Sequence, residues 1–278
     1  MPEIQNYNLF EKFFIKIYNF KNQPLKIIYK IFIFLFSNFK NKNYLRKRMD
    51  FIIVGGKKWK KHFITDYLKK TKIIKTHAFD YDKYLNKKIK KLNYKYSVFI
   101  DEDMPHHSDY EYLGIKPYAS PSIYFSELNK FFSYYEKQTG IKIIIAACPR
   151  TDYKRKKNPF NGRKIISDNT SNLVKYAKHV FLHMSTSVNF AILHKKPVIS
   201  INSNNYNKLI AQNRIKKLSQ EIGAKRINVS ESFKDNFRNL KINKKKYDFY
   251  KESYIKEKNT PNKFIWEVFC DYLDNLKN

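Results

Sequence analysis

The segment His179–Ser203, HVFLHM-STSVNFAILHKK-PVISINS, constrains the fold more than any other part of the chain. Two short strand-like runs flank a dozen residues with helical spacing. Two strands joined through a helix run parallel. The same alternation recurs upstream. MDFIIVGG precedes KKWKKHFITDYLKK, whose Trp59, Phe63 and Tyr67 share a helical face. KIIKTHAF then reads as a strand, Lys83 to Leu92 as a basic helix or loop, and KYSVFID as a third strand. Met104 to Ser122, with Pro105, Gly114, Pro117 and Pro121, reads as a long loop. Ser122 is expected to cap a helix carrying Ile123, Leu128, Phe131, Phe132 and Tyr135, stopped by Gly140. IKIIIAA and KIISD follow as strands, and Asn169 or Thr170 caps a helix running through Lys178. Near the end, Phe264, Ile265, Val268, Phe269, Tyr272 and Leu273 form one stripe on a closing helix. The pattern predicts a doubly wound α/β protein with parallel sheets. Expected divisions are a basic aromatic helical segment over residues 1–48, one unit over 49–121, a second over 122–260, and the closing helix over 261–278.

Charge is the next constraint. Fifty-six basic against 24 acidic residues give a formal +32, a balance that suits polyanions or anionic membranes. Only eight of the bases are Arg, and the Lys is dispersed along the chain among abundant Asn, Ile, Tyr and Phe, residues with AT-rich codons. Dispersed Lys differs from the clustered, often Arg-rich patches of nucleic-acid readers, so no nucleic-acid partner is expected. Cys148 and Cys270 match no metal spacing and no disulfide framework, which points to a reducing cytoplasm. No signal peptide is read at the N-terminus. The charge-free run Ile31–Phe39 is nine residues, well short of the ~20 that span a bilayer. Residues 1–48 mix aromatic bulk with Lys and Arg. They read either as helices packed on the protein's own core or as a peripheral contact with the inner face of the cytoplasmic membrane.

In an open parallel sheet, ligands bind beyond the carboxyl ends of the strands. Gly55 and Gly56 follow the first strand; they allow close backbone approach but lack the rest of a dinucleotide fingerprint. Asp101, Glu102 and Asp103 follow KYSVFI, with His106 and His107 just beyond. Crowded carboxylates raise one another's pKa, so one member suits a general base, although a solvated acidic strand exit or a divalent-metal clamp would use the same residues. Cys148, Pro149 and Arg150 follow IKIIIAA; Arg150 can hold a phosphate or carboxylate, and Cys148 reads as a small buried residue. Arg163 closes the basic loop after them and, with Gly55 and Gly56, is a candidate donor or loop contact. Ser185, Thr186 and Ser187 open a helix after HVFLHM, offering hydroxyls and free N–H groups to an anion, or simply capping the helix.

Taken together, the acidic pair, the x-Pro-Arg and the Ser-Thr-Ser turn resemble the bacterial sialyltransferases and related nonulosonate and Kdo transferases. Those families carry, in this order, an Asp/Glu-Asp/Glu-Gly, a His-Pro and a Ser-Ser/Thr signature. YAKHVFLHMSTSVNFAILHKKPVISI is also similar to a segment of capsule and teichoic-acid polymerases that use cytidine-activated donors. The resemblance covers roughly residues 96–203. It implies a GT-B architecture of two Rossmann-like lobes, the first short, with the nucleotide-sugar held by the second. It further implies an inverting, metal-independent transfer without cofactor. A CMP-activated acidic sugar such as sialic acid, a nonulosonate or Kdo would pass to a surface-polysaccharide or lipooligosaccharide acceptor. By the same resemblance Asp101 or Glu102 is the base, Asp103 stands in the Gly position and Cys148 replaces the His. Either Arg150 compensates for the missing imidazolium or the protein is weakened or inactive, and Ser185 and Thr186 hold the donor phosphate. Rival expectations are a glycerophosphate or hexosyl transferase on the same scaffold, and a non-catalytic subunit of a polysaccharide assembly complex.

Overall fold

The computed structural model describes residues 50–62, 71–86, 92–153 and 157–276, and builds two parallel sheets. β1 (Phe51–Gly55) and β2 (Lys72–Thr76) form a two-stranded sheet with Phe51 opposite Lys72. The larger sheet has six strands: β3 (Tyr96–Ile100), β4 (Lys142–Ala146), β5 (Ile165–Ile166), β6 (Val180–Leu182), β7 (Val198–Asn202) and β8 (Lys225–Asn228). Their order is β5-β4-β3-β6-β7-β8, and every pairing is parallel. The chain thus walks outward from β3 in one direction, returns to its other flank and walks outward in the opposite direction. Connections leaving β3 and β6 diverge to opposite faces, which opens a crevice between their carboxyl ends.

The apolar runs follow from this burial. Val98, Ile100, Ile144, Val180 and Leu182 pack on one face, while Phe99, Ile143, Ile145, Phe181 and Ile199 pack on the other. Strand geometry sends successive side chains to opposite faces, so a strand covered twice is mostly apolar on both. β3, buried at all five residues, is the central case. Helices α1 (Phe79–Leu85), α2 (Asp109–Leu113) and α3 (Pro121–Thr139) come next to it in sequence. α3 turns Tyr124, Leu128, Phe131, Phe132 and Tyr135, all fully buried, onto the Phe99 face. Gly140, at φ 69°, ends α3 in the left-handed conformation. The helix starts at Pro121, one residue before the expected cap Ser122; proline's fixed φ and missing N–H suit the first helical position. α2 also interrupts what the sequence presents as one continuous loop.

α4 (Thr170–Tyr176), α5 (Val188–Leu193), α6 (Asn213–Ile222), α7 (Lys244–Tyr250) and α8 (Ile265–Asp274) complete the helices used below. The chain's last segment returns to the small sheet. Ala78 N–H donates to Ile255 O at 2.7 Å, His77 bridges Lys256, and Phe51 packs edge-on against Phe269 and Tyr272 of α8, each at 6.0 Å.

The division expected between residues 121 and 122 does not separate sheets. β3 precedes that point yet pairs with β4 and β6, which follow it, so the change of sheet falls between β2 and β3. A boundary drawn at the proline-rich loop follows composition, whereas strand pairing obeys long-range burial. Expectations for residues 1–48, including helices and a membrane contact, lie outside the described residues. No described helix is long and apolar enough to cross a membrane.

Candidate functional site

A cleft of about 690 Å³ opens at the switch point, lined from the ends of four strands. Asp101 and Glu102 come from β3, Cys148, Pro149 and Arg150 from β4, Asp168 to Asn172 from β5, and Ser185, Thr186 and Ser187 from β6. Four segments dispersed between residues 101 and 187 therefore meet in one space, because parallel strands deliver all their exits to the same edge.

Asp101 is 4% exposed. Its Oδ1 accepts the Asp103 N–H at 3.0 Å, and its Oδ2 accepts the Tyr153 hydroxyl at 2.6 Å and the Cys148 N–H at 3.3 Å. Burial pushes its pKa up to about 6, only partly offset by those donors, so the group exchanges a proton near neutrality. Glu102 behaves differently: Oε1 accepts the backbone N–H groups of His183 at 3.2 Å and Met184 at 2.8 Å, clipping the exits of β3 and β6 together. Asp103 sits at φ 42°, a left-handed position that Asp tolerates better than most residues, which explains how it stands where glycine is expected. It is buried, its oxygens engaged by Thr151 Oγ1 at 2.6 Å and His106 Nδ1 at 3.1 Å. Neither Asp103 nor His106 lines the cleft; His107 does. They are placed to shape the turn that presents Asp101.

Cys148 is buried, and burial also raises its thiol pKa; its contribution to the site is the backbone N–H given to Asp101. Arg150 is more than half exposed and donates to Asp109 Oδ1 at 2.7 Å, so its charge is already engaged at the rim. Ser185 Oγ accepts the Ser187 N–H at 3.2 Å, and Val188 N–H donates to Ser185 O at 3.1 Å. The helix they open, α5, is only six residues long, so its dipole is small and the hydroxyls carry more of any anion contact than the helix does.

Besides Asp103 and His106, three sequence candidates fall outside the cleft. Gly55 and Gly56 serve packing: a Cβ on Gly55 would stand 2.4 Å from Ala78 N, and one on Gly56, at φ 71°, would stand 2.6 Å from Ser253 O. Arg163 is a structural clamp, donating to Glu136 Oε2 at 2.9 Å, Asn129 Oδ1 and Ser133 Oγ at 3.0 Å each, and Phe160 O at 3.2 Å. Its guanidinium is spent on tying α3 to the loop before β5.

Other lining residues escaped the sequence reading. Asp80 and Lys83 arrive from α1; Asp80 accepts from Asn189 Nδ2 at 2.9 Å, and burial raises its pKa. Asp168, at φ 56°, begins a turn of Asp, Asn, Thr, Ser and Asn whose composition is a turn signal; these residues line the cleft ahead of α4, which has no side-chain cap. Arg214, on α6, lines it from beyond β7. The lining thus holds five carboxylates, Asp80, Asp101, Glu102, Asp109 and Asp168, against Lys83, Arg150 and Arg214. In a chain of net +32, this is an acidic, hydroxyl- and amide-rich pocket. Among the described residues no group of three His, Cys, Asp or Glu side chains is arranged to hold a metal.

No protein-family model matches the sequence, and no curated protein matches it. Similar solved structures include the glycosyltransferase SnogD from Streptomyces nogalater, at 9% identity and TM-score 0.39, covering 77% of this chain and 60% of that one. The UDP-GlcNAc 2-epimerase of Methanocaldococcus jannaschii, in complex with UDP-GlcNAc and UDP, is similar at 14% identity and TM-score 0.37, covering 72% and 59%. A glycotransferase of kitacinnamycin is similar at 8% identity and TM-score 0.31, covering 53% and 34%. The chain therefore spans less than two thirds of each of these structures. Likenesses this distant carry nothing about what the cleft does.

Proposed function

We propose that the cleft binds a nucleotide-activated sugar and that the protein transfers the sugar to a glycan or glycolipid acceptor. One observation carries the reading. The acidic pair, the Cys-Pro-Arg segment and the Ser-Thr-Ser turn line one cleft at the switch point of a doubly wound sheet. In the proposed step an acceptor hydroxyl attacks the anomeric carbon from the face opposite the nucleotide. Asp101 takes the hydroxyl proton. The bond from the anomeric carbon to the phosphate oxygen breaks, its electron pair stays on that oxygen, and configuration inverts. Ser185, Thr186 and Ser187 hydrogen-bond the phosphate as charge grows on it. A CMP-activated acidic sugar is the favoured donor, on the strength of the sequence resemblance alone.

Calorimetric titration of CMP, CDP, UDP and GDP into the protein and its Ser185→Ala/Thr186→Ala variant tests this. The expected result is binding of a cytidine nucleotide that the double variant loses, followed by release of CMP when a CMP-activated sugar and an acceptor are supplied. Absence of binding by all four nucleotides would sink the reading. Cys148 favours a second reading: a buried thiol supplies no imidazolium charge, and a non-catalytic subunit would bind nucleotide without turnover.

A further inference from the structure

Arg163 shows what a structural arginine looks like in this protein, with hydrogen bonds to Glu136, Asn129, Ser133 and Phe160. Arg150 shows a rim arginine, paired with Asp109. Arg214 is neither. It lines the cleft, yet its Nε is buried without a hydrogen-bond partner, and no ion pair joins it to a described residue. Leaving a guanidinium N–H shielded from water and unpaired costs stability, a cost that an anion bound in the cleft would offset. Asp80, Asp101, Asp109 and Asp168 line the same cleft, and no ion pair joins any of them to Arg214. A second orphan shares the space: Ser171, 9% exposed and also lining the cleft, has an Oγ with no partner. Their segments follow β5 and β7, four positions apart in the sheet, so the two orphans mark different parts of the cleft.

We propose that Arg214 is the anion receptor of the cleft and the residue that selects an anionic donor, holding an oxyanion of an extended ligand whose other end meets Ser171. The proposal deepens the transferase reading and rests on it for the identity of the ligand. The oxyanion is a phosphate or a sugar-borne carboxylate, both of which the planar guanidinium fork accepts with two parallel hydrogen bonds. An acidic pocket makes this cation selective: a donor that brings no negative charge to Arg214 gains nothing there, whereas one that does replaces a missing partner.

The test is calorimetric binding of CMP, UDP, cytidine and N-acetylneuraminic acid to the full chain and its Arg214→Gln and Arg214→Lys variants. Arg238→Gln, at an exposed arginine, is the control, and thermal unfolding by circular dichroism checks that each variant folds. The expected result is a loss of roughly 10- to 100-fold in affinity in Arg214→Gln, partly restored in Arg214→Lys and absent in the control. Loss for CMP or UDP with cytidine unaffected assigns Arg214 to the phosphate; loss for N-acetylneuraminic acid alone assigns it to the carboxylate. Equal affinities in wild type and Arg214→Gln overturn the proposal, and the transferase reading survives if Ser185→Ala/Thr186→Ala still abolishes nucleotide binding. Arg214-dependent binding of N-acetylneuraminic acid without any nucleotide binding keeps the receptor and removes the nucleotide donor. A wild-type protein that binds none of the probes overturns both.

Discussion

Asp101 carries two demands on one carboxyl group. It must organise the strand exit by accepting from Asp103, Tyr153 and Cys148, and in the proposed reaction it must take a proton. Burial raises its pKa from 3.8 to about 6, so the folded state prefers the protonated form. The stability this supplies is full below pH 3.8 and is lost as pH rises through 6; above that the protein carries a disfavoured buried charge. Asp101→Asn removes the titration. Its stability relative to wild type is expected to improve by about 1 kcal/mol between pH 5 and pH 7.5, read from urea unfolding, whatever fixed cost the amide imposes at both pH values. Transfer by the same variant should fall roughly 10²- to 10⁴-fold, and wild-type activity should rise through a midpoint near pH 6. A flat stability difference would mean that Asp101 stays ionised throughout.

At the level of elements, the cleft is framed by contacts that tie its strands and helices together. Glu102 clips β3 to β6 through two backbone N–H groups, and Arg163 ties α3 to the loop before β5 with its side chain 7% exposed. Removing one partner of a buried ion pair strands the other charge, so Arg163→Ala is expected to cost about 3 to 5 kcal/mol of unfolding free energy. Its nucleotide affinity should stay within about twofold of wild type, because Arg163 does not line the cleft. Loss of binding with unchanged stability would return Arg163 to the donor site where the sequence placed it.

For the whole molecule the informative contrast is between surface and cleft. A net +32 belongs to the dispersed lysines, while the ligand-facing lining holds more carboxylates than cations. A protein that neutralises many phosphates loses ~10³- to 10⁵-fold in affinity between 50 and 200 mM salt. Nucleotide binding here should weaken by less than about tenfold over that range, since few charges act in the cleft. A steep slope, measured by repeating the titration at several salt concentrations, would point to a polyanion held on the lysine surface. Closure of the small sheet is likewise a property of the whole: Gly55 and Gly56 are required by the close approach of residues 77–78 and 253–254, from distant parts of the chain.

The sequence by itself determined the local structure and the chemistry at the strand ends. β3, β4, β6 and β7 were legible as short runs rich in apolar residues, and α3 because its buried stripe has the helical period. Asp101, Cys148–Arg150 and Ser185–Ser187 were legible as strand exits, which parallel pairing gathers along one edge of the sheet. Only the tertiary structure decided how those segments are used. Strand order assigned β3 to the larger sheet, ion pairing set Arg150 and Arg163 apart from Arg214, and packing turned two glycines and Asp103 into supports. The physical reason is range. Periodicity records which face of an element is buried, whereas the partner of a charged side chain depends on residues brought together from across the chain by burial that no local pattern encodes.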